Sequence, residues 1–90
     1  MLEKYEQTLD NWIESIVASG DDDALFASGY LQGHFAVVLA EMESEGSTDL
    51  VSLDEKMTAC LSQATRELED PDYRLVASAW QELRSAIAAC

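Results

Sequence analysis

Apolar side chains recur along the chain at three- and four-residue steps, in four runs separated by residues that start and stop helices. Leu2, Tyr5, Leu9, Trp12, Ile13 and Ile16 form the first run, and Gly20 follows as a C-terminal stop. Asp21, Asp22 and Asp23 then supply N-cap oxygens and negative charge for the amide end of a second helix, predicted to reach about Met42. A polar connection, Glu43 to Thr48, contains Gly46. Ser52 and Glu55 have capping-box spacing, and Leu53, Met57, Cys60, Leu61, Ala64 and Leu68 share one face of a third helix. Asp70 reads as an N-cap with Pro71 in the first helical position, where the missing N–H costs nothing. Tyr73, Val76, Trp80, Leu83 and Ile87 then form the seam of a fourth helix. No period-two alternation is long enough for a strand. The expected fold is all-α, an antiparallel four-helix bundle of up-down-up-down topology with residues 1–90 as a single domain.

The second helix differs from the others. Leu31, Phe35, Val38 and Met42 fall on one stripe of the helical wheel, while Gly29, Gly33, Ala36 and Ala40 fall on another. Two apolar stripes predict a buried, central helix that touches more than one neighbour. Each glycine costs about 1 kcal/mol of helix propensity relative to alanine. The small stripe therefore has two readings: close approach by a large side chain such as Trp12 or Trp80, or a groove filled by a ligand or a partner helix. The uncharged stretch Ala24 to Ala40 contains Ser28, Gln32 and His34 besides the two glycines, and is too short and too polar to span a membrane. Leu75 and Ala79 on the fourth helix either finish the core or form a dimer seam, so a monomer and a weak homodimer are both expected states.

The segment Asp22 to Glu43, DDALFASGYLQGHFAVVLAEME, resembles the YfcL-like family of small gammaproteobacterial proteins. Leu25 to Leu31 and the following Gly33-His34 carry the likeness, which is specific over those 22 residues. The resemblance implies a small helical, cytoplasmic bacterial protein and transfers no catalytic residue.

Chemistry-bearing residues are sparse. Tyr30, His34 and Glu41 lie within about 40° of one another on the second helix, a strip suited to acid–base work or to one corner of a metal site. A di-iron bundle would need Glu-x-x-His pairs, and Leu31 stands three residues before His34. Zinc would require Cys60 or Cys90 beside His34, with no CxxC or HxxxH pair to organise them. The three consecutive aspartates lack the alternating ligands of a calcium loop and read as a cap. Cys60 reads as a small buried hydrophobe and Cys90 as an exposed thiol, both reduced in the cytosol. The N-terminal MLEKYEQTLDNW lacks the basic-then-apolar layout of an export signal. No cofactor, no metal and no catalytic activity are expected.

Charge changes this picture most. Of 90 residues, 18 are acidic and 5 are Lys or Arg, for a net charge of −13. Hydrophobic content of 48% still provides an ordinary core. Such a chain is repelled by nucleic acid and by anionic membranes. No Lys or Arg occurs between Lys4 and Lys56, and residues 5–55 alone carry −12. Glu3, Glu6, Asp10 and Glu14 line the first helix, where like charges oppose one another by a few tenths of a kcal/mol per pair. That stripe either keeps the protein soluble or steers a basic protein partner towards the first helix and the Asp21-Asp22-Asp23 junction. The expected function is a non-enzymatic interaction module for such a partner. The alternative is a small-ligand or metal-binding bundle using Gly29 and Gly33 or the strip of Tyr30, His34 and Glu41.

Overall fold

A computed structural model describes residues 2–89, so Cys90 and its thiol lie outside the described part. Four α-helices follow one another: α1 (Glu3–Ser19), α2 (Asp22–Glu45), α3 (Leu50–Ala64) and α4 (Asp70–Ala89), and no strand occurs among the described residues. Gly20 ends α1 and Gly46 ends α2, at φ 71° and 75°. That left-handed conformation strains any residue with a Cβ, which is why glycine stands at both ends. Asp21 caps α2 as expected, its carboxylate accepting the Asp23 N–H at 3.1 Å.

Four boundaries depart from the sequence reading, the first being the end of α3, which stops at Ala64 and leaves Leu68 outside the helix in the connection to α4. Helix α2 continues one turn past Met42 until Gly46 stops it. Helix α3 is capped by Asp49, not by Ser52: the Asp49 carboxylate accepts the Ser52 N–H at 3.1 Å and the Ser52 hydroxyl at 2.9 Å. Aspartate in extended backbone is the better cap, and the would-be capping serine becomes its donor. Helix α4 opens one residue early, with the Tyr73 N–H bonded to the Glu69 carbonyl, so Pro71 occupies the second position. Its absent N–H is still one that no helix would satisfy.

Helices α2 and α4 form the central pair, while α1 and α3 each lean on both and do not meet. The result is a flattened body, 35 × 30 × 18 Å. Its interior holds Leu31, Phe35, Val38 and Met42 of α2, Leu53 and Met57 of α3, and Val76, Trp80 and Leu83 of α4, all essentially without solvent contact. Burying each such side chain contributes about 1.5–3 kcal/mol. Leu9 and Ile16 close the α1 side, and Ala79 is buried with Leu75 packed against the same cluster, so both α4 positions finish the core. The buried hydroxyls of Thr8 and Ser28 are satisfied by the Lys4 and Leu25 carbonyls at 2.9 and 3.0 Å. The Trp80 indole N–H is buried without a protein acceptor among the described residues.

The small stripe of α2 does not go inside. Gly29, Gly33, Ala36 and Ala40 are all exposed, and a Cβ built on either glycine meets nothing within 4 Å. Neither Trp12 nor Trp80 approaches them, which corrects the expectation of tight packing there. The stripe lies roughly 160° around the helix from Leu31, Phe35, Val38 and Met42, on the solvent side. Phe26 and Val37, 41% and 56% exposed, flank it. The uncharged stretch is thus buried along one side only.

Candidate functional site

The strip of Tyr30, His34 and Glu41 faces α3, and that neighbour divides it. Tyr30 and His34, one turn apart, hold their rings 4.6 Å centre to centre at a tilt of 42°. The Tyr30 hydroxyl reaches the Glu67 carboxylate at 3.4 Å, and burial, followed by the charge of Glu67, pushes the phenol above its usual pKa. Glu41 is drawn elsewhere. Lys56 Nζ sits 2.9 Å from Glu45 Oε2 and 3.4 Å from Glu41 Oε2, bridging two successive turns of α2 from α3. Those two carboxylates, Glu45 foremost, hold the Lys56 ammonium above its ordinary pKa. Cys60 is half-buried, and burial followed by the nearby negative charge of Glu41 raises its thiol pKa. A thiol held in its protonated form is a poor nucleophile. No group of three or more His, Cys, Asp and Glu among the described residues is arranged to hold a metal ion. Gly29 and Gly33 open directly to solvent on the far side of α2 from the core. Lys56, Cys60 and Glu67 complete this seam, and no spacing along the chain pairs them with α2.

The acids predicted to meet a partner separate into two groups. Glu3, Glu6 and Asp10 stand at the α1 end, where they join Glu43 of α2 around two adjoining hollows. One, about 310 Å³, runs between α1 and α2 over Leu9, Phe35, Leu39 and the exposed Ala36 and Ala40. The other, about 380 Å³, ends against the connection Gly46, Ser47 and Thr48. The Tyr5 hydroxyl donates to the Thr48 carbonyl at 2.6 Å, which fixes that connection against α1. At the opposite end, Asp21 and Asp23 border a smaller hollow among α1, α2 and α4, lined by Trp12, Ala24 and Glu82. Asp22 begins α2 and is exposed, and Glu14 lies between the two groups, exposed and bordering neither. Glu43 belongs to the first group, although the sequence pattern places it in a polar connection. The extra turn of α2 that carries it onto the groove wall is invisible in a reading that ends the helix at Met42.

The cations that form ion pairs stand on α3 and α4. The ion pairs shown among the described residues join Lys56 to Glu41 and Glu45, and Arg84 to Asp54 at 3.2 Å. No Lys or Arg comes within ion-pair distance of Glu6, Asp10, Glu14 or Glu43 among the described residues. No helix of the described residues is long and apolar enough to cross a membrane.

The fold and surface define a small all-α protein with an acid-lined, partly apolar groove. The chain belongs to the YfcL family, whose model, described as YfcL protein, matches residues 3–85. It is 33% identical over 85 residues to a protein of Escherichia coli strain K12 described as uncharacterized protein YfcL, covering 92% of either chain. No solved structure matches it significantly.

Proposed function

We propose that this protein is a non-enzymatic, cytoplasmic interaction module whose acidic α1 and α1–α2 junction bind a basic protein partner. It acts as a monomer or weak homodimer, and its helices alternate in direction as an antiparallel up-down-up-down bundle. The connections of two to five residues between helices favour that topology. The observation that carries the functional reading is the asymmetry of charge pairing. Lys56 and Arg84 are engaged with α2, α3 and α4, whereas Glu6, Asp10 and Glu14 repeat along α1 without an ion pair among the described residues. A surface serving the fold alone gains by interspersing lysines on that stripe. A field of one sign instead raises the rate at which a basic surface arrives.

The test is capture of partners from a bacterial lysate at low ionic strength, using the wild-type protein beside a triple Glu6→Lys, Asp10→Lys, Glu14→Lys variant. A specific basic protein is expected to be retained by the wild type, to be released in about 0.5 M salt where the screening length is a few Å, and to be lost with the variant. Equal retention by both proteins, or no specific partner at all, overturns the reading.

A further inference from the structure

We propose that the groove between α1 and α2 seats an amphipathic helix of the partner, one with an apolar stripe bordered by Lys and Arg. This rests on the interaction reading above and assigns it a place and a shape of ligand. The groove has two chemistries at once. Its floor is apolar: Phe35 and Leu39 are almost fully covered by the fold, and Ala36 and Ala40 form an exposed shoulder beside them. Its rims are anionic, with Glu6 and Asp10 on α1 facing Glu43 on α2, and none of the three forms an ion pair among the described residues. A purely electrostatic site has no use for the floor, and a purely apolar one would not place three carboxylates around it.

Charge complementarity selects the occupant. A second copy of this chain would bring its own Glu6, Asp10 and Glu43 against the same rims. An anionic lipid surface is repelled outright, as is nucleic acid. A helix with basic flanks satisfies both rims while its apolar stripe covers the floor, the helix-in-groove mode of recognition. Size agrees with this. Between Gln32 and Glu43 the wall runs about 16 Å, three turns of a docked helix. Ala36 and Ala40 lie one turn apart on that wall and allow a helix backbone to come close. Tyr5 holds Thr48 at the far end of the adjoining hollow.

The probe is a labelled 18-residue peptide with an apolar i, i+4, i+7 stripe flanked by Lys and Arg. It is compared by fluorescence anisotropy, at low salt, with a permuted peptide of identical composition and no stripe. Wild-type protein is expected to bind the amphipathic peptide about tenfold more tightly or better, the value of covering one large apolar side chain of the peptide. The double variant Ala36→Gln, Ala40→Gln blocks the shoulder without changing charge, and the preference is expected to vanish while salt-sensitive binding of both peptides remains. Should that variant melt early, Glu43→Gln provides the same reading at one rim, with a drop of several-fold for the amphipathic peptide. Equal affinity of the wild type for the two peptides overturns the groove and leaves the electrostatic reading standing. Binding of neither peptide overturns both. An undiminished preference in the double variant shows that the helix docks elsewhere. Sedimentation that finds self-association lost in the double variant gives the face to a second copy and overturns the choice of occupant.

Discussion

The two stripes of α2 are alike in lacking any polar or charged side chain and opposite in fate. Leu31, Phe35, Val38 and Met42 sit in the dry centre of the molecule, whereas Gly29, Gly33, Ala36 and Ala40 stand in water. Neither side carries a charge between Ala24 and Ala40. Volume separates them. The free energy of burial scales with apolar area, and a stripe of glycine and alanine offers little of it. Once α4 and α3 have covered the larger residues, covering the smaller ones returns almost nothing, and the stripe is left outside. A face that is apolar without being buried is informative because the fold does not require it.

Substitutions on the two sides provide the sharpest test of that contrast. Phe35→Ala, on the inner side, is expected to destabilise the protein by about 3–5 kcal/mol, measured by urea denaturation. Val37→Ala, two residues on and 56% exposed, is expected to stay within about 0.5 kcal/mol. Comparable losses at the two positions would break the distinction between the faces. The glycines predict a change of opposite sign. Because open space surrounds both, Gly29→Ala with Gly33→Ala is expected to raise stability by about 1–2 kcal/mol together. A loss in thermal denaturation would mean that something does approach the stripe.

Asp21→Ala acts on both sides at once by removing the carboxylate that accepts the Asp23 N–H, and it is expected to cost about 1 kcal/mol in the same denaturation assay. The smallest effect belongs to the border between the faces. Tyr30 has a pKa raised by burial and by Glu67, so the folded state holds its proton more tightly than the unfolded chain does. Its contribution is therefore intact below the ordinary tyrosine pKa of about 10 and fades as pH rises through the higher folded value. Melting temperature followed from pH 8 to 11 should fall less steeply for Tyr30→Phe than for the wild type. Identical slopes would remove Tyr30 from the pH response.

Helix number, order and most core positions were legible because they depend on spacing along one chain. Trp80, Leu83 and Val76 repeat at helical steps, and each is buried. Capping was legible where one donor and one acceptor stand close in sequence, as at Asp21. It misled at Ser52, because Asp49 offered a competing carboxylate three residues earlier. Cross-helix partners were not legible. Nothing local links Tyr30 to Glu67, or Lys56 to Glu41 and Glu45. The proposed groove was half visible: Glu6 and Asp10 stand out as unpaired acids on one helix, but Glu43 joins them only when α2 lies alongside.

By itself, the sequence determined an all-α chain of four amphipathic helices with its acid gathered between Lys4 and Lys56. Periodicity and net charge are properties of residue order, and no tertiary contact alters them. The tertiary structure alone decided which apolar face of α2 would be buried. It also decided which acids would be neutralised and which would share a groove. Those outcomes depend on what a neighbouring helix brings within a few ångströms, and a helix presents its faces without knowing which neighbour will cover them.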